Sequence, residues 1–134
     1  MKKLLTYLLI FIPLFSITAC AKADEELTIV EIELTKIKKG NLEESLSEIQ
    51  DEGIYGVNVK NKAYIIFNGV DHEYKNVALN LEEEVLQIIF NKVTSDAPSK
   101  KVFELIPYPS EKYDTIQLIE NGEETHFEQV IAWG

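Results

Sequence analysis

The residues best suited to chemistry are two histidines with carboxylates nearby in the chain. His126 and Glu128 lie two apart, so on an extended strand they share one face and could bring an imidazole beside a carboxylate. Asp71, His72 and Glu73 are consecutive, and adjacent side chains of an extended chain point to opposite sides, which argues against a metal cluster. Neither histidine has the spacing of a recognised catalytic motif. We therefore expect His126 and Glu128 to lie on a solvated strand face and residues 71–73 to lie in an exposed loop. We expect no catalytic residue, no metal and no cofactor.

Other candidate chemistry is equally sparse. The chain has one cysteine, Cys20, and no serine in a nucleophile-elbow pattern. The glutamates at positions 82–84 could attract Ca²⁺, but no Asp-rich loop with a glycine at its sharp turn accompanies them. We interpret these glutamates as a charged rim on a turn that enters a strand.

Tyrosine side chains offer recognition instead of catalysis. Tyr64, Tyr74, Tyr108 and Tyr113 lie in or beside predicted strands. A tyrosine ring is apolar with a polar tip, so these four residues could form a binding surface. Tyrosine is also a good strand residue, and ordinary sheet packing is the alternative interpretation.

The N-terminal residues have the order of a secretory signal. Lys2 and Lys3 precede an apolar run at positions 4–15, and small or polar residues follow up to Cys20. The apolar run is shorter than the roughly 20 residues that cross a bilayer, and it contains Pro13. The segment is therefore predicted to be cleaved and not to persist as a transmembrane helix.

The end of this segment, Ile17-Thr18-Ala19-Cys20, resembles the bacterial lipobox, with an aliphatic residue three positions before a cysteine and a small residue just before it. The resemblance implies that the Cys20 sulfur receives diacylglycerol and that the chain is cleaved before Cys20. Two or three acyl chains would hold the protein at the cell membrane, where a single chain binds only marginally. The predicted organisation is a signal peptide at 1–19, a lipidated cysteine and short tether at 20–26, and one extracytoplasmic domain at 27–134.

Charge limits the partners of this domain. Without residues 1–19 the chain keeps 115 of its 134 residues, the size of a single domain. Two of the 13 lysines lie in the signal, which leaves 11 lysines against 23 acidic residues and a formal charge of −12. Such a field repels nucleic acid, which we exclude as a partner. The absence of arginine suits an AT-rich genome and favours a Gram-positive host.

One strand and one helix are predicted at the start of the domain. Apolar and polar residues alternate over 27–37, which indicates a half-buried strand with Val30 on its buried side. Asn41, followed three residues later by a glutamate, has the spacing of a capping box. We expect a helix over about 42–52, with Gly53 as its left-handed C-terminal cap.

The rest of the chain predicts strands, because short apolar runs rich in β-branched and aromatic residues alternate with turn residues. These runs cover residues 54–59, 63–67, 74–79, 85–93, 102–106, 113–119 and 125–132. Asn121-Gly122 predicts a type I′ turn in a terminal hairpin, and positions 60–62 and 68–69 are weaker turn signals. The expected fold is α+β: a mainly antiparallel sheet or partly open barrel with one N-terminal helix packed on it.

The order of these elements is similar to that of the PrcB-type domain. The similarity covers about residues 27–120 and includes a strand at 64–69 and a loop near Pro98. That family usually has a Thr-Gly-Gly-Tyr type signature after the strand, and the stretch at 69–74 departs from it, sharing only Gly69 and Tyr74. In its founding example the domain belongs to an accessory lipoprotein of a bacterial protease complex. The resemblance implies an accessory role, and we carry over no residue roles from it.

These patterns lead to one hypothesis and two alternatives. The leading hypothesis is a membrane-tethered, non-enzymatic binding or accessory domain, with another envelope protein as a candidate partner. One alternative is a small envelope hydrolase or metal-dependent enzyme that uses His72 or His126 with nearby carboxylates. The other is an immunity-like lipoprotein that shields the cell by electrostatic exclusion, whose binding would weaken steeply with salt.

Overall fold

A computed structural model describes residues 26–133, which form one α-helix, one short 3₁₀ helix and nine strands. The bounds are β1 Thr28–Ile32, the 3₁₀ helix Leu34–Lys36, α1 Asn41–Glu48, β2 Gly53–Val59, β3 Lys62–Gly69, β4 His72–Glu82, β5 Val85–Thr94, β6 Ser99–Ile106, β7 Thr115–Glu120, β8 Glu123–Thr125 and β9 Gln129–Trp133. The predicted signal, Cys20 and the first residues of the tether lie outside the described residues. Over 26–133, no helix is long and apolar enough to cross a membrane.

The strands form two sheets. The five-stranded sheet has the order β9-β2-β3-β6-β1, and the four-stranded sheet has the order β4-β5-β7-β8. The predicted α+β class is confirmed. The sheets are mixed and not purely antiparallel, however, because β9 pairs with β2 and β5 pairs with β7 in parallel. Neither sheet closes into a barrel.

The two parallel strand pairs arise because the chain crosses from one sheet to the other. The Val70-Asp71 turn leads from β3 in one sheet to β4 in the other, so this connection is not a hairpin. Strand β6 lies in the five-stranded sheet, and the chain therefore leaves the four-stranded sheet after β5 and returns to it at β7. A strand that re-enters a sheet after such a crossing can run parallel to the neighbour that it joins, as β7 does beside β5 and β9 does beside β2.

An aromatic core joins the two sheets. The ring of Phe67 on β3 lies 5.3 Å from that of Tyr74 on β4, 5.1 Å from Phe90 on β5 and 5.4 Å from Phe103 on β6. These centroid distances and tilted or edge-on orientations are those in which aromatic pairs attract. We call the buried residues between the sheets the central core.

A second cluster, which we call the outer core, lies between α1 and the other face of the five-stranded sheet. Leu42 and Leu46 of α1 pack against buried Val57 and Val102 of this sheet. Trp133 of β9 packs in the same cluster, and its indole Nε1 donates a hydrogen bond of 2.9 Å to the hydroxyl of Ser45, which is fully buried. The molecule therefore has three layers: helix, five-stranded sheet and four-stranded sheet.

The helix is shorter than predicted and starts differently. Gly40, not Asn41, occupies the N-cap position, and the helix ends at Glu48. Ile49 then adopts an extended conformation and is buried in the outer core, while the Asp51 carbonyl accepts hydrogen bonds from Tyr55 and Asn68. These tertiary contacts outweigh the local pattern that predicted a helix to residue 52, and residue 53 begins β2 instead of capping the helix.

The first strand is also shorter than predicted, and its buried side is different. Strand β1 ends at Ile32, and Ile29 is the residue that packs against the central core. Val30 faces the other way and is 47% exposed. The reason is that β1 is an edge strand whose outer face is not covered by α1.

One of the predicted turns is confirmed and another is wrong. Asn121 and Gly122 have φ values of 51° and 87° and join β7 to β8, so the type I′ turn is confirmed. The hairpin is not terminal, because the chain continues into β9 of the other sheet. The turn expected at positions 68–69 is wrong, since both residues belong to β3 and the turn follows them.

Candidate functional site

A groove of about 490 Å³ lies where the 3₁₀ helix and the start of α1 meet the outer face of the five-stranded sheet. Its lining is basic and partly apolar. The lining residues are Ile32, Lys36, Ile37, Lys38, Lys39, Gly40, Asn41, Leu42, Val59, Lys62, Tyr64 and Glu104. The groove thus contains four lysines and one glutamate in a chain whose overall charge is strongly negative.

Three pieces of backbone position the four lysines, and the first is the 3₁₀ helix, which ends at Lys36. Ile37 and Leu42 pack into the outer core and hold the segment between them, which carries Lys38 and Lys39, against the edge of the sheet. Lys62 comes from β3, directly after the two-residue turn that pairs Val59 with Lys62. Residues far apart in the sequence therefore line the same groove.

The groove lysines form no ion pair with any residue of the described range 26–133. Within residues 26–133 the four lysine–glutamate and histidine–glutamate pairs use other basic residues: His72, Lys75, Lys92 and Lys101. Lys36, Lys38, Lys39 and Lys62 are exposed. Within the described part of the chain, no carboxylate therefore competes with an anion for their ammonium groups.

Tyr64 and Glu104 form the floor of the groove on neighbouring strands, at paired positions of β3 and β6. Partial burial raises the pKa of the Tyr64 phenol above its ordinary value of 10, with Glu104 raising it further and Lys62 lowering it. The phenol is therefore neutral at physiological pH and can both donate and accept a hydrogen bond.

The structure does not bring the four predicted tyrosines onto one surface. Tyr74 is 2% exposed and belongs to the central core, so its ring is not part of any surface. Tyr108 and Tyr113 pack together against a third cluster that contains buried Leu86 and Leu105. Of the four, Tyr64 alone lines the lysine groove.

The structure places the two histidines in surroundings that differ from those predicted. His126 and Glu128 lie between β8 and β9 and not on a strand, so the prediction of a shared strand face is wrong. His72 begins β4, and its Nδ1 lies 2.9 Å from Oε2 of Glu52. The two histidines also flank opposite edges of the four-stranded sheet, next to β4 and β8.

The Glu52 carboxylate is the centre of a clamp between the sheets. It accepts hydrogen bonds from the backbone N–H groups of Val70 and Asp71 at 2.9 and 3.0 Å, and it pairs with Lys92 Nζ at 3.2 Å. Burial alone would raise the pKa of Glu52, but the hydrogen bonds from Val70, His72, Asp71 and Lys92 outweigh it and lower the pKa to about 2. The clamp holds the turn that connects the two sheets.

Metal-ligating residues are not grouped in the part of the chain that the structure describes. No cluster of three or more His, Cys, Asp or Glu side chains occurs there. Glu73 is paired with Lys101 at 3.2 Å, and Asp71 is exposed. The glutamates at positions 82–84 are exposed around the turn from β4 to β5, as predicted.

Comparisons with known protein families, curated proteins and solved structures find no match to this chain. The resemblances to the lipobox and to the PrcB-type domain therefore stay predictions.

Sequence reasoning missed the groove. Its signal in the sequence is the run Lys36-Ile37-Lys38-Lys39, a concentration of positive charge in an acidic chain. The run is visible, but its meeting with Lys62 and Tyr64 depends on how β3 is placed beside the segment before α1. Residue spacing carries no information about that placement.

Proposed function

We propose that this chain is a membrane-anchored extracytoplasmic lipoprotein whose domain is a non-enzymatic binding or accessory module of the cell envelope. The anchor is supported by the lipobox resemblance at Cys20, and the Gram-positive host by the absence of arginine. The domain begins within a few residues of the proposed lipidation site, so its surfaces would stay close to the membrane.

The observation that carries the binding function is the lysine groove. It combines concavity, four lysines without an ion-pair partner among residues 26–133, and Tyr64, one of the tyrosines predicted to take part in binding. Ligand sites are concave and hold a small number of convergent polar groups. The carboxylate and the histidine of the Glu52 clamp, in contrast, contact each other and the turn that connects the two sheets.

Photo-crosslinking in intact cells tests this function. The Tyr64→p-benzoylphenylalanine protein should give one discrete adduct with an envelope component. The matched control is the Tyr108→p-benzoylphenylalanine protein, whose half-buried tyrosine lies in the third cluster, away from the groove. An adduct from position 64 alone supports the groove as the binding site. Adducts from position 108 alone, or from neither position, would contradict it.

The anchoring part has its own test. We expect the Cys20→Ser protein to leave the membrane fraction, because it lacks the acyl chains that anchor the wild-type protein in the bilayer. Fractionation of cells and medium measures this. Retention of the variant in membranes at the wild-type level would contradict the anchor.

A further inference from the structure

We propose that the lysine groove binds a phosphate ester of a polyol, of which glycerol phosphate is the simplest example. The proposal rests on the proposed binding function of the groove and names its ligand class. Three features of the groove carry it: the unpaired lysines, the tyrosine and carboxylate beside them, and the size of the space.

The charge of the groove selects an anion. Lys36, Lys38, Lys39 and Lys62 line one concave surface, and none of them is in an ion pair within residues 26–133. Holding four like charges together costs free energy, which a bound anion would relieve. Lysine ammonium groups commonly bind phosphate as point charges, and a phosphomonoester carries close to two negative charges at neutral pH.

The residues beside the lysines select more than phosphate. Glu104 repels an anion but accepts hydrogen bonds from neutral hydroxyl groups. Tyr64 offers an aromatic face and a neutral phenol at the position paired with Glu104. A ligand with hydroxyl-bearing carbons next to its phosphate would use both residues, whereas inorganic phosphate would contact only the lysines and be opposed by Glu104.

The start of α1 contributes little to this selection. Its free N–H groups at the groove favour anions, but Glu43 and Glu44 lie in the first helical turn and oppose them. The volume of about 490 Å³ is within the range of about 300 to 1,000 Å³ that small-molecule sites have. It accommodates a polyol phosphate and leaves room for a longer phosphodiester.

Titration of the full lipidated chain in non-ionic detergent micelles tests the proposal. Glycerol 3-phosphate should shift the amide resonances of residues 36–42 and 62–64 in a saturable way. The Lys38→Gln/Lys39→Gln variant should raise Kd by about tenfold or more, the effect of losing at least one charged hydrogen bond. The matched control, Lys75→Gln/Lys112→Gln, removes two positive charges outside the groove and should change Kd less than about twofold.

Glu104→Gln separates a polyol phosphate site from a plain anion site. In the wild type we expect glycerol 3-phosphate to bind more tightly than inorganic phosphate. In the variant inorganic phosphate should bind more tightly than before and the preference should shrink by about threefold or more, because charge-assisted hydrogen bonds are the stronger kind. Equal wild-type affinities for the two ligands would overturn the polyol part of the proposal.

Experiments with vesicles distinguish two sources of a polyol phosphate: a lipid headgroup of the same membrane and a ligand dissolved in solution. In phosphatidylcholine vesicles the reconstituted protein should bind glycerol 3-phosphate, and adding phosphatidylglycerol either abolishes that binding or leaves it unchanged. Abolition assigns the groove to a lipid headgroup of the same membrane, and no change assigns it to a ligand from solution. Either result supports the polyol phosphate site.

Failure of this proposal is distinct from failure of the proposed function. If glycerol 3-phosphate shifts no groove resonance while crosslinking at Tyr64 persists, the polyol phosphate is wrong and the binding function stands. If the Lys75→Gln/Lys112→Gln control weakens binding as much as Lys38→Gln/Lys39→Gln does, the effect is one of net charge and the proposal is wrong.

Discussion

At the scale of single residues, the charged groups divide into those that hold the fold and those that are free. Glu52, His72 and Lys92 contact one another around the turn between the sheets. The groove lysines have no such partners in the described part of the chain. His72, a candidate for catalysis in the sequence, is thus part of the contacts that hold the fold, while a lysine run without an obvious role lines the candidate site.

The Glu52 clamp makes a prediction about pH. The folded pKa of about 2 lies below the ordinary value of 4.5, so the clamp stabilises the fold above pH 4.5 and loses this effect as the pH falls towards 2. We expect Glu52→Gln to cost about 1 to 2 kcal/mol at pH 7, after a discount for partial exposure of the carboxylate, and less at pH 3. Urea unfolding at both pH values measures this. A cost that is the same at both values would contradict the electrostatic explanation.

Two tyrosine hydroxyls give a matched pair of predictions. The Tyr113 hydroxyl is buried with no hydrogen-bond partner in the described residues, whereas the Tyr55 hydroxyl donates to the Asp51 carbonyl at 2.8 Å. Tyr113→Phe should be neutral or stabilise by up to about 1 kcal/mol, and Tyr55→Phe should destabilise by about 1 kcal/mol. Thermal unfolding of both variants decides it, and the opposite order of stabilities would count against this assignment of contacts.

At the scale of elements, local sequence patterns predicted the strands well and their partners poorly. The Asn121-Gly122 turn depends on two residues that tolerate positive φ, so it could be predicted from those residues alone. The parallel pairing of β9 with β2 joins segments about 75 residues apart, and no local pattern encodes it. The same holds for the candidate site, whose lysine run is local but whose floor comes from β3 and β6.

The helix illustrates how distant contacts override a local pattern. Lys100 of β6 donates hydrogen bonds to the carbonyls of Leu46 and Ile49, at the end of α1. A lysine at this position satisfies terminal carbonyls and interacts favourably with the helix dipole. The helix end is thus fixed by a residue about 50 positions further along the chain, which a reading of residues 42–52 could not include.

The contact between α1 and β9 predicts a stability effect. Ser45→Ala removes the acceptor of the Trp133 indole N–H and should destabilise the domain by about 1 to 2 kcal/mol. The control, Ser47→Ala on the exposed side of the same helix, shares the gain in helix propensity and should stay within about 0.5 kcal/mol of the wild type. Urea unfolding followed by Trp133 fluorescence measures both. Equal effects would mean that the indole bond contributes nothing.

At the scale of the whole molecule, the chain combines a predicted lipid anchor with an acidic three-layer domain that carries one basic groove. Counted from Cys20 onward, the formal charge is −12, a field that opposes nucleic acid and other polyanions at long range, and four lysines oppose that field locally. The negative field slows the approach of an anionic ligand to the groove. A lipid anchor would offset this effect, because a tethered protein meets ligands of the envelope at high effective concentration.

The anchor is the central claim, since the binding role in the envelope depends on it. Its most direct measurement is incorporation of radiolabelled palmitate by cells that express the wild-type chain or the Cys20→Ser variant. We predict label in the wild-type protein, none in the variant, and a wild-type N-terminus that starts at Cys20. An unlabelled wild-type protein, or a variant labelled to the same extent, would contradict the account.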